Sequence, residues 1–255
     1  MGLSVAIVAL NEEANIARTL ESVRWADEIL LVDSGSTDHT REIAQQYGAK
    51  VVNEPWRGHV AQKNYALELC TQTWILALDA DEEVSPGLAN EIRSALADPD
   101  ALNGYWMPRQ NLFLGRWIRF GGFYPDPKLR LFRRGEGYST GHDPHDRYEL
   151  RTGRAVGRFK NPLVHHAYPT LSYYLEHMNS YSSLGAKLAV ANGHRRFSVV
   201  NIVVRPALTF VYNYFIRLGF LDGREGFLLH LYHSVYVSWK YAKAWELARK
   251  PRAEV

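Results

Sequence analysis

The chain has little cysteine and lacks the glycine-rich loops of the common nucleotide-binding motifs. Cys70 is the only cysteine among 255 residues, so an intrachain disulfide is excluded and a reducing compartment is expected. Neither Gly-x-Gly-x-x-Gly nor a Gly-Lys-Ser/Thr loop occurs, which argues against dinucleotide-binding and P-loop proteins. The apolar segment 197–220 is interrupted by Asn, Arg and Pro and does not fit a membrane span. Because the start also lacks the basic region of a signal peptide, we expect a cytoplasmic location.

The composition is that of a globular protein with a mildly basic balance. Apolar residues make up 46% of the chain and the net charge is +3, so one large domain, or one domain with an appendage, is expected. The acids are concentrated in the first hundred residues, whereas Lys and Arg dominate from Arg109 onward. This asymmetry predicts an anionic partner for the C-terminal half, such as phospholipid head groups or a phosphorylated acceptor. No DNA- or RNA-binding motif supports a nucleic acid partner.

Apolar runs of strand length alternate with helical patterns in the N-terminal part of the chain. The runs predict strands at 3–10, 28–32, 50–53 and 73–78, with helices between them. This alternation predicts an α/β fold with a parallel, doubly wound sheet. A further strand, at 105–109, is predicted at an edge of the sheet. Ligands of such sheets bind beyond the carboxyl ends of the strands.

Polar and acidic residues follow three of these predicted strands. Asn11 and Glu12 follow the first strand, Asp33 the second, and Asp79 and Asp81 the fourth. Carboxylates gathered at one sheet edge are costly without cations or donors to offset their charge. Oxygen ligands of this kind suit Mg²⁺ or Mn²⁺, which often share them with phosphates. The pattern therefore predicts a nucleotide with a divalent cation. If Asp79 and Asp81 are considered alone, the alternative is a solvated acidic turn before a helix.

Four short segments occur in a characteristic order: Val8–Glu12, Val32–Asp38, Gln62–Ala66 and Leu78–Glu82. As a set they resemble the family 2 glycosyltransferases, which have the GT-A fold. The resemblance implies a UDP-sugar donor, with Asp33 at the uracil base. It also implies that the base and ribose are lined by the backbone after the first strand, around Leu10, Asn11 and Glu12.

The same resemblance assigns the remaining donor-site residues. Lys63 is expected near the nucleotide, although a solvated helix charge is the alternative. Asp79, with Ala80, is expected beside the ribose and the metal. Asp81 is expected to bind the divalent cation, Mg²⁺ or Mn²⁺, that bridges the two phosphates.

The stretch from Tyr124 to Asp146 resembles a subgroup that includes the lipopolysaccharide-core β-1,4-glucosyltransferases. In that subgroup a His-Glu pair is usual, whereas this chain has His145 followed by Asp146. Transfer to a hydroxyl group needs a base, and we assign Asp146 to that role with Asp143 as its rival. Members of this fold often supply a late histidine to the metal, which points to His165; a histidine without ligand function is the alternative.

The segment 111–124 is rich in Arg, Gly and aromatic residues. Aromatic faces and arginine forks suit a sugar-phosphate binding loop, so acceptor contacts are predicted for Arg116, Trp117, Tyr124 and, beyond the loop, Arg130. A loop packed on its own aromatic side chains is the alternative for each of the loop residues.

The predicted organisation is a catalytic domain at 1–168 followed by a helical extension at 169–255. The nucleotide-sugar half spans about 1–100 and the acceptor half about 101–168. The last helix, 227–248, combines aromatic and basic residues, which predicts contact with an anionic membrane surface at the inner face of the cytoplasmic membrane. Packing on the catalytic domain or on a second subunit is the alternative, so a homo-oligomer is possible.

These observations, taken with the resemblance, predict a metal-dependent glycosyltransferase, and the resemblance alone implies that it is inverting. It would move a hexose, glucose by resemblance, from a UDP-sugar to a hydroxyl of a cell-envelope glycan or glycolipid such as lipopolysaccharide core. One alternative is a sugar-phosphate nucleotidylyltransferase, which would need a glycine-rich basic loop after the first strand. The other is a non-catalytic, membrane-associated glycan-binding protein.

Overall fold

The computed structural model describes residues 1–142, 145–151 and 153–249. They form two compact units. The first comprises Met1–Gln110 and Pro125–His166, and the second comprises Asn111–Tyr124 and the chain from Ala167 onward. The aromatic segment 111–124 therefore belongs to the same unit as the C-terminal helices.

Up to Tyr168 the chain consists of short strands and helices. In order they are β1 (Leu3–Ala9), α1 (Ile16–Ser22), β2 (Glu28–Asp33), α2 (Thr40–Gln46), β3 (Lys50–Asn53), α3 (His59–Leu69), β4 (Trp74–Asp79), β5 (Glu82–Val84), α4 (Pro86–Ala97), β6 (Gly104–Met107), β7 (Arg109–Phe113), β8 (Arg116–Trp117), β9 (Lys128–Arg133), β10 (Gly137–His142), β11 (His145–Leu150), β12 (Val156–Arg158) and β13 (Leu163–Tyr168).

A seven-stranded sheet forms the centre of the first unit, in the order β12-β6-β9-β4-β1-β2-β3. Neighbouring strands from β4 to β3 are parallel, as are β12 and β6, whereas β9 runs antiparallel to both its neighbours. The predicted α/β fold with a mostly parallel sheet is confirmed. The prediction of an edge strand at 105–109 is wrong, because β12 pairs with β6 on its outer side.

The central strands are buried on both faces, which explains their continuous apolar sequences. In β4, Trp74, Leu76 and Leu78 pack into one core cluster, whereas Ile75 and Ala77 pack into a second. Successive side chains of a strand point to opposite faces, so the two clusters lie on opposite sides of the sheet. The sheet edge where these strands end is thereby held rigidly.

Two of the helix ends in the first unit follow from local sequence. Before α4, the Ser85 hydroxyl accepts a hydrogen bond from the Leu88 N–H at 3.3 Å, and Pro86 occupies the first turn. After α2, Gly48 adopts a φ of 78°, and the Ala49 N–H returns to the Ala44 carbonyl at 3.1 Å.

The described part of the second unit is mainly helical, with a short β-structure in which β7 pairs with β8 and the end of β13 lies beside β7. Its elements are α5 (Leu171–Ala191), a π-helical turn (Val200–Val204), α6 (Arg205–Val211), a second π-helical turn (Tyr212–Ile216), a 3-10 turn (Gly219–Asp222) and α7 (Gly223–Arg249). Along α5 and α7, buried side chains such as Tyr174, Met178 and Leu229 share a core cluster. Among the residues described, no helix combines the length and apolar character needed to cross a membrane.

The aromatic and basic residues of α7 are largely used in packing. Tyr241 is buried in the core shared with α5. The Lys243 ammonium donates to the Asn179 side chain at 2.6 Å and to the Ser182 hydroxyl at 2.7 Å. For these side chains, the structure shows packing within the unit, which is one of the alternatives that the sequence left open.

Candidate active site

The carboxyl ends of β1, β2 and β4 lie level with one another. In the parallel register, Ala9 is paired with Asp33, and Val8 with Asp79. The two aspartates therefore emerge at the same edge of the sheet, on either side of β1. The structure brings together the acidic strand ends that the sequence predicted to meet.

The loops that follow β1 and β2 are bound to each other by side-chain hydrogen bonds. The Asn11 N–H donates to the Ser36 hydroxyl at 2.9 Å, and the Asn11 side-chain oxygen accepts from the Thr37 N–H at 2.8 Å. Asn11 has a positive φ of 55°, a conformation that asparagine tolerates better than most residues. These contacts leave the side chain of the preceding Leu10 half exposed.

Asp33 is fully buried at the end of β2. One carboxylate oxygen, Oδ1, accepts hydrogen bonds from the Gly35 N–H at 3.1 Å and the Ser36 N–H at 2.9 Å. The other oxygen, Oδ2, has no hydrogen-bond partner among the described residues. An unsatisfied buried acceptor is costly, and this oxygen is able to accept a further hydrogen bond.

Lys63 lies between two carboxylates. Its ammonium is 2.7 Å from Asp79 Oδ1 and 2.8 Å from Asp146 Oδ2. Burial alone would lower the pKa of Lys63, but the charges of Asp79 and Asp146 outweigh it and raise that pKa above its ordinary value. A solvated helix charge does not describe this residue, because its side chain is 11% exposed.

Asp79 is held by two cations, since Arg130 pairs with its second oxygen. Burial opposes the charged form, but Arg130 and Lys63 outweigh it and hold the pKa of Asp79 well below its usual range. The following residue, Ala80, is buried, and its carbonyl accepts a hydrogen bond from the Thr19 hydroxyl at 2.7 Å. The Asp79 carboxylate is thus held by two cations, and the backbone that follows it is held by the Thr19 hydroxyl.

Glu82 is a buried carboxylate that links this site to β9. Its Oε1 is 2.7 Å from an Arg130 nitrogen and 3.4 Å from an Arg109 nitrogen, and its Oε2 accepts from the Asp79 N–H at 3.0 Å. Sequence reasoning missed this role, for which the only signal is the position of Glu82 directly after the Asp-x-Asp motif. Arg130 is 4% exposed as a residue, and its guanidinium contacts both Asp79 and Glu82. These contacts differ from the acceptor contact expected for Arg130, which stays a prediction.

Asp81 and His165 form a second pair, across the antiparallel strands β5 and β13. His165 Nε2 lies 3.2 Å from Asp81 Oδ2, and the His166 N–H donates to the Asp81 carbonyl at 3.0 Å. Burial opposes ionisation of Asp81, but His165 outweighs it and lowers the pKa of that carboxyl. In the described part of the chain, no three acidic, histidine or cysteine side chains converge as metal ligands. A cation held here would have these two side chains as protein ligands and would need further ligands from a bound molecule.

Asp146 is carried by the hairpin of β10 and β11, where it is paired with Gly141. The side chain of Asn64, on α3, fixes this hairpin: its amide donates to the Ser139 carbonyl at 2.9 Å and its oxygen accepts from the Ser139 N–H at 2.7 Å. Because Lys63 and Asn64 are adjacent, one turn of α3 positions both the hairpin and its carboxylate. The rival base, Asp143, lies outside the described residues.

The remaining predicted acceptor residues belong to the second unit. Trp117 and Tyr124 contact edge to face, with ring centroids 5.1 Å apart. The Arg119 guanidinium stacks over Trp117 at 4.1 Å, and Arg116 is exposed, 3.8 Å from Glu225. These rings form a small aromatic cluster within the loop, and the site described above is built without them.

The family model described as "Glycosyl transferase family 2" matches residues 4–175, which is more than half of the chain. The chain belongs to glycosyl transferase family 2. A relative named lipopolysaccharide core biosynthesis glycosyltransferase LpsC, from Rhizobium meliloti, is 32% identical over 251 residues, covering 96% of this chain and 92% of the relative. An uncharacterized glycosyltransferase from Rickettsia typhi, RT0209, is 29% identical and covers 98% and 89% of the two chains.

The fold of this glycosyltransferase is also similar to a solved structure. TarS 1-349 of S. aureus, crystallised in complex with UDP-GlcNAc, aligns with a TM-score of 0.50 at 14% identity, over 98% of this chain and 90% of that chain. Similarity at this identity concerns the fold alone. The predicted GT-A fold is confirmed, and so is the prediction that the chain is a glycosyltransferase.

Glu12, at the base of the glycosyltransferase site, is expected to make folding stability depend on pH. Burial, with a smaller contribution from the Asp81 and Asp79 charges, raises the pKa of Glu12 to about 7, although a hydrogen bond from Asn15 opposes the shift. Between pH 4.5 and about 7 the folded protein therefore keeps the Glu12 carboxyl protonated, whereas in the unfolded chain, where its pKa is 4.5, the carboxyl has lost its proton. The contribution to stability is therefore present at low pH and is lost as pH rises towards 7.

A Glu12→Gln variant should lose this pH dependence. We expect its free energy of unfolding, measured by urea denaturation from pH 5 to 8, to fall less with rising pH than that of the wild type. Glu13→Gln, a change at the exposed neighbour, is the matched control. Parallel curves for the wild type and Glu12→Gln would contradict the raised pKa.

Proposed function

We propose that this glycosyltransferase moves a hexose, glucose by its resemblance, from a UDP-sugar to a hydroxyl of a cell-envelope glycan or glycolipid, on the cytoplasmic side of the membrane. The observation that carries the proposal is the position of Lys63, within 2.8 Å of both Asp79 and Asp146. Lys63 thus links Asp146, the candidate base, to Asp79, one of the acids expected to hold the donor, and this link supports the proposal. The relative named for lipopolysaccharide core biosynthesis supports the acceptor class.

In this proposal Asp146 accepts the proton of the acceptor hydroxyl. The oxygen attacks the anomeric carbon of the sugar, a new carbon–oxygen bond forms, and the bond to UDP breaks with its electron pair leaving on the diphosphate. A general base typically increases the rate of such a transfer by about 10²- to 10⁴-fold. The single displacement, with inversion at the anomeric carbon, is inferred from the family resemblance. Residues 1–168 would carry this chemistry, with 169–255 as the extension.

A divalent cation fits the site, with Asp81 and His165 as its protein ligands. Their facing oxygen and nitrogen atoms, 3.2 Å apart, are the donor types that suit Mn²⁺, whereas Mg²⁺ would rely more on oxygen ligands. When bound, the cation would act as a Lewis acid that neutralises charge on the leaving diphosphate. Asp79, already paired with Lys63 and Arg130, is left to orient the ribose side of the donor.

The carboxylate oxygen Oδ2 of Asp33, which has no partner among the described residues, predicts how the nucleobase of the donor is selected. Uracil has a ring N–H that can donate a hydrogen bond to Asp33 Oδ2, whereas the ring nitrogen at the same position in cytosine is a hydrogen-bond acceptor. In Asp33→Asn the amide oxygen keeps the turn to Gly35 and Ser36, and the amide NH₂ takes the place of Oδ2. We expect UDP affinity, measured by calorimetry, to fall by roughly 10- to 100-fold, as for the loss of a charged hydrogen bond.

CDP is the matched ligand for this test, because it shares the ribose and the diphosphate. Its affinity should change little or improve in Asp33→Asn, since an NH₂ group can donate to the cytosine ring nitrogen. An equal loss for UDP and CDP would mean that Asp33 supports the loop without reading the base.

The two alternative functions predict different products. A panel of nucleotide sugars, incubated with and without Mn²⁺ and assayed for released UDP, tests transfer or slow donor hydrolysis directly. A nucleotidylyltransferase would instead form a nucleotide sugar from a nucleoside triphosphate and a sugar phosphate, with release of pyrophosphate. A non-catalytic glycan-binding protein would give neither product.

A further inference from the structure

The segment from Phe197 to Leu221 exposes an unusual amount of apolar surface. Several of its large side chains are 51–67% exposed. We call this surface the apolar strip and define it by Phe197, Val200, Val203, Leu208, Phe215 and Ile216. Contiguous exposed apolar patches mark interaction surfaces, because isolated exposed side chains are common but groups of them are not.

The opposite face of the same segment is occupied. Ile202 packs against the core shared by α5 and α7, and its carbonyl accepts a hydrogen bond from the Ser238 hydroxyl at 2.8 Å. Phe210 and Tyr214 contact the Phe227 ring, with centroids 6.0 and 5.7 Å away. The segment is therefore anchored on α7 by some of its apolar side chains, while those of the apolar strip stay exposed.

Within the stretch of sequence that carries the apolar strip, the charged side chains have one sign. No Asp or Glu occurs from residue 177 to residue 221, although the chain contains 27 of them. The same stretch carries five basic residues, all exposed: Lys187, Arg195, Arg196, Arg205 and Arg217. Exposed apolar side chains among basic residues without acids suit an interface with anionic lipid, where the apolar groups enter the acyl boundary and the cations contact head groups.

We propose that the apolar strip and its flanking arginines form a docking surface for an anionic phospholipid bilayer. A second copy of the chain fits this surface less well. A two-fold contact would place the strip against itself, and like charges would then face each other without acids in the strip to pair with them. None of the residues of the docking surface belongs to the transfer site, so the proposal holds or fails independently of the proposed reaction.

Vesicle co-sedimentation with the full chain tests the docking surface. The vesicles are phosphatidylcholine alone or phosphatidylcholine mixed with phosphatidylglycerol. We expect binding to the mixed vesicles, weakening as salt is raised, and little binding to phosphatidylcholine. Equal binding to both compositions would overturn the role of the arginines.

Two variants separate the apolar and the charged contributions. Leu208→Glu with Ile216→Glu should reduce binding to the mixed vesicles by roughly tenfold or more, because two inserted side chains are lost. Arg195→Gln with Arg196→Gln should reduce that binding by a similar factor and flatten its salt dependence. Leu102→Glu with Val156→Glu changes exposed apolar residues of the first unit and should bind like the wild type.

Sedimentation velocity, run in parallel, distinguishes the second-copy alternative. The proposal requires that the Leu208→Glu, Ile216→Glu variant lose vesicle binding while its oligomeric state and UDP affinity match the wild type. A variant that instead changes from dimer to monomer and still binds vesicles would overturn the proposal in favour of self-association.

Discussion

Asp146→Asn is expected to retain donor binding and to lose transfer by about 10²- to 10⁴-fold, the usual contribution of a general base. An amide cannot accept the acceptor's proton, yet it fills nearly the same volume. Lys63 keeps its contact with Asp79 at 2.7 Å, so the substitution leaves no buried ammonium without a counter-charge. Turnover should therefore fall while UDP affinity, measured by calorimetry, remains close to that of the wild type.

The matched control for this variant is Glu149→Gln. Glu149 lies on the same strand, and its side chain is 38% exposed, in contact with Arg147. It should leave both turnover and UDP affinity unchanged. If Asp146→Asn binds UDP much more weakly than the wild type, the carboxylate supports the donor site and the base must be sought elsewhere.

Asp81→Ala is expected to lose both donor binding and transfer. Removing one of the two protein ligands should weaken UDP binding in the presence of Mn²⁺ by on the order of 100-fold. Loss of a residue that only orients a metal ligand costs about 10- to 100-fold, so loss of the ligand itself is expected to reach the upper end of that range. Without metal, the wild type and the variant should bind UDP equally weakly. Calorimetric titrations with Mn²⁺ and with a chelator provide the four affinities needed.

Glu83→Ala provides a close control for Asp81→Ala. Glu83 Oε2 lies 2.9 Å from His166 Nε2. This is a second carboxylate–imidazole contact between the same two parts of the chain, next to that of Asp81 with His165. Loss of that contact should leave the metal dependence of UDP binding intact. Equal effects of the two alanine substitutions would show that neither pair is a specific metal site.

The parts of the fold that sequence patterns could predict are the locally encoded ones. The strands β1, β2 and β4 are buried on both faces, so their sequences are continuous apolar runs that end where polar residues begin. The alignment of Asp33 with Asp79 then follows from the parallel arrangement, since the carboxyl ends of neighbouring strands meet at one edge. The same logic identified Asn11 and Glu12 as part of that edge.

The parts that could not be predicted depend on pairings between distant residues. Arg130 reaches Glu82 across 48 positions because β9 enters the sheet antiparallel beside β4, and no local pattern specifies that insertion. The short strand β12 covers β6 and removes the predicted edge. Likewise, contacts alone show that the segment 111–124 belongs with the C-terminal helices.

The bond between Asn64 and the hairpin has a consequence for protein engineering. Asn64 contacts the N–H and the carbonyl of Ser139 and leaves the serine side chain unused. The clamp therefore holds a backbone position, and a substitution of Ser139 that keeps a small buried side chain should leave the clamp intact. One residue inserted in β10 between Ser139 and Gly141 would instead shift the strand register and turn Asp146 away from Lys63.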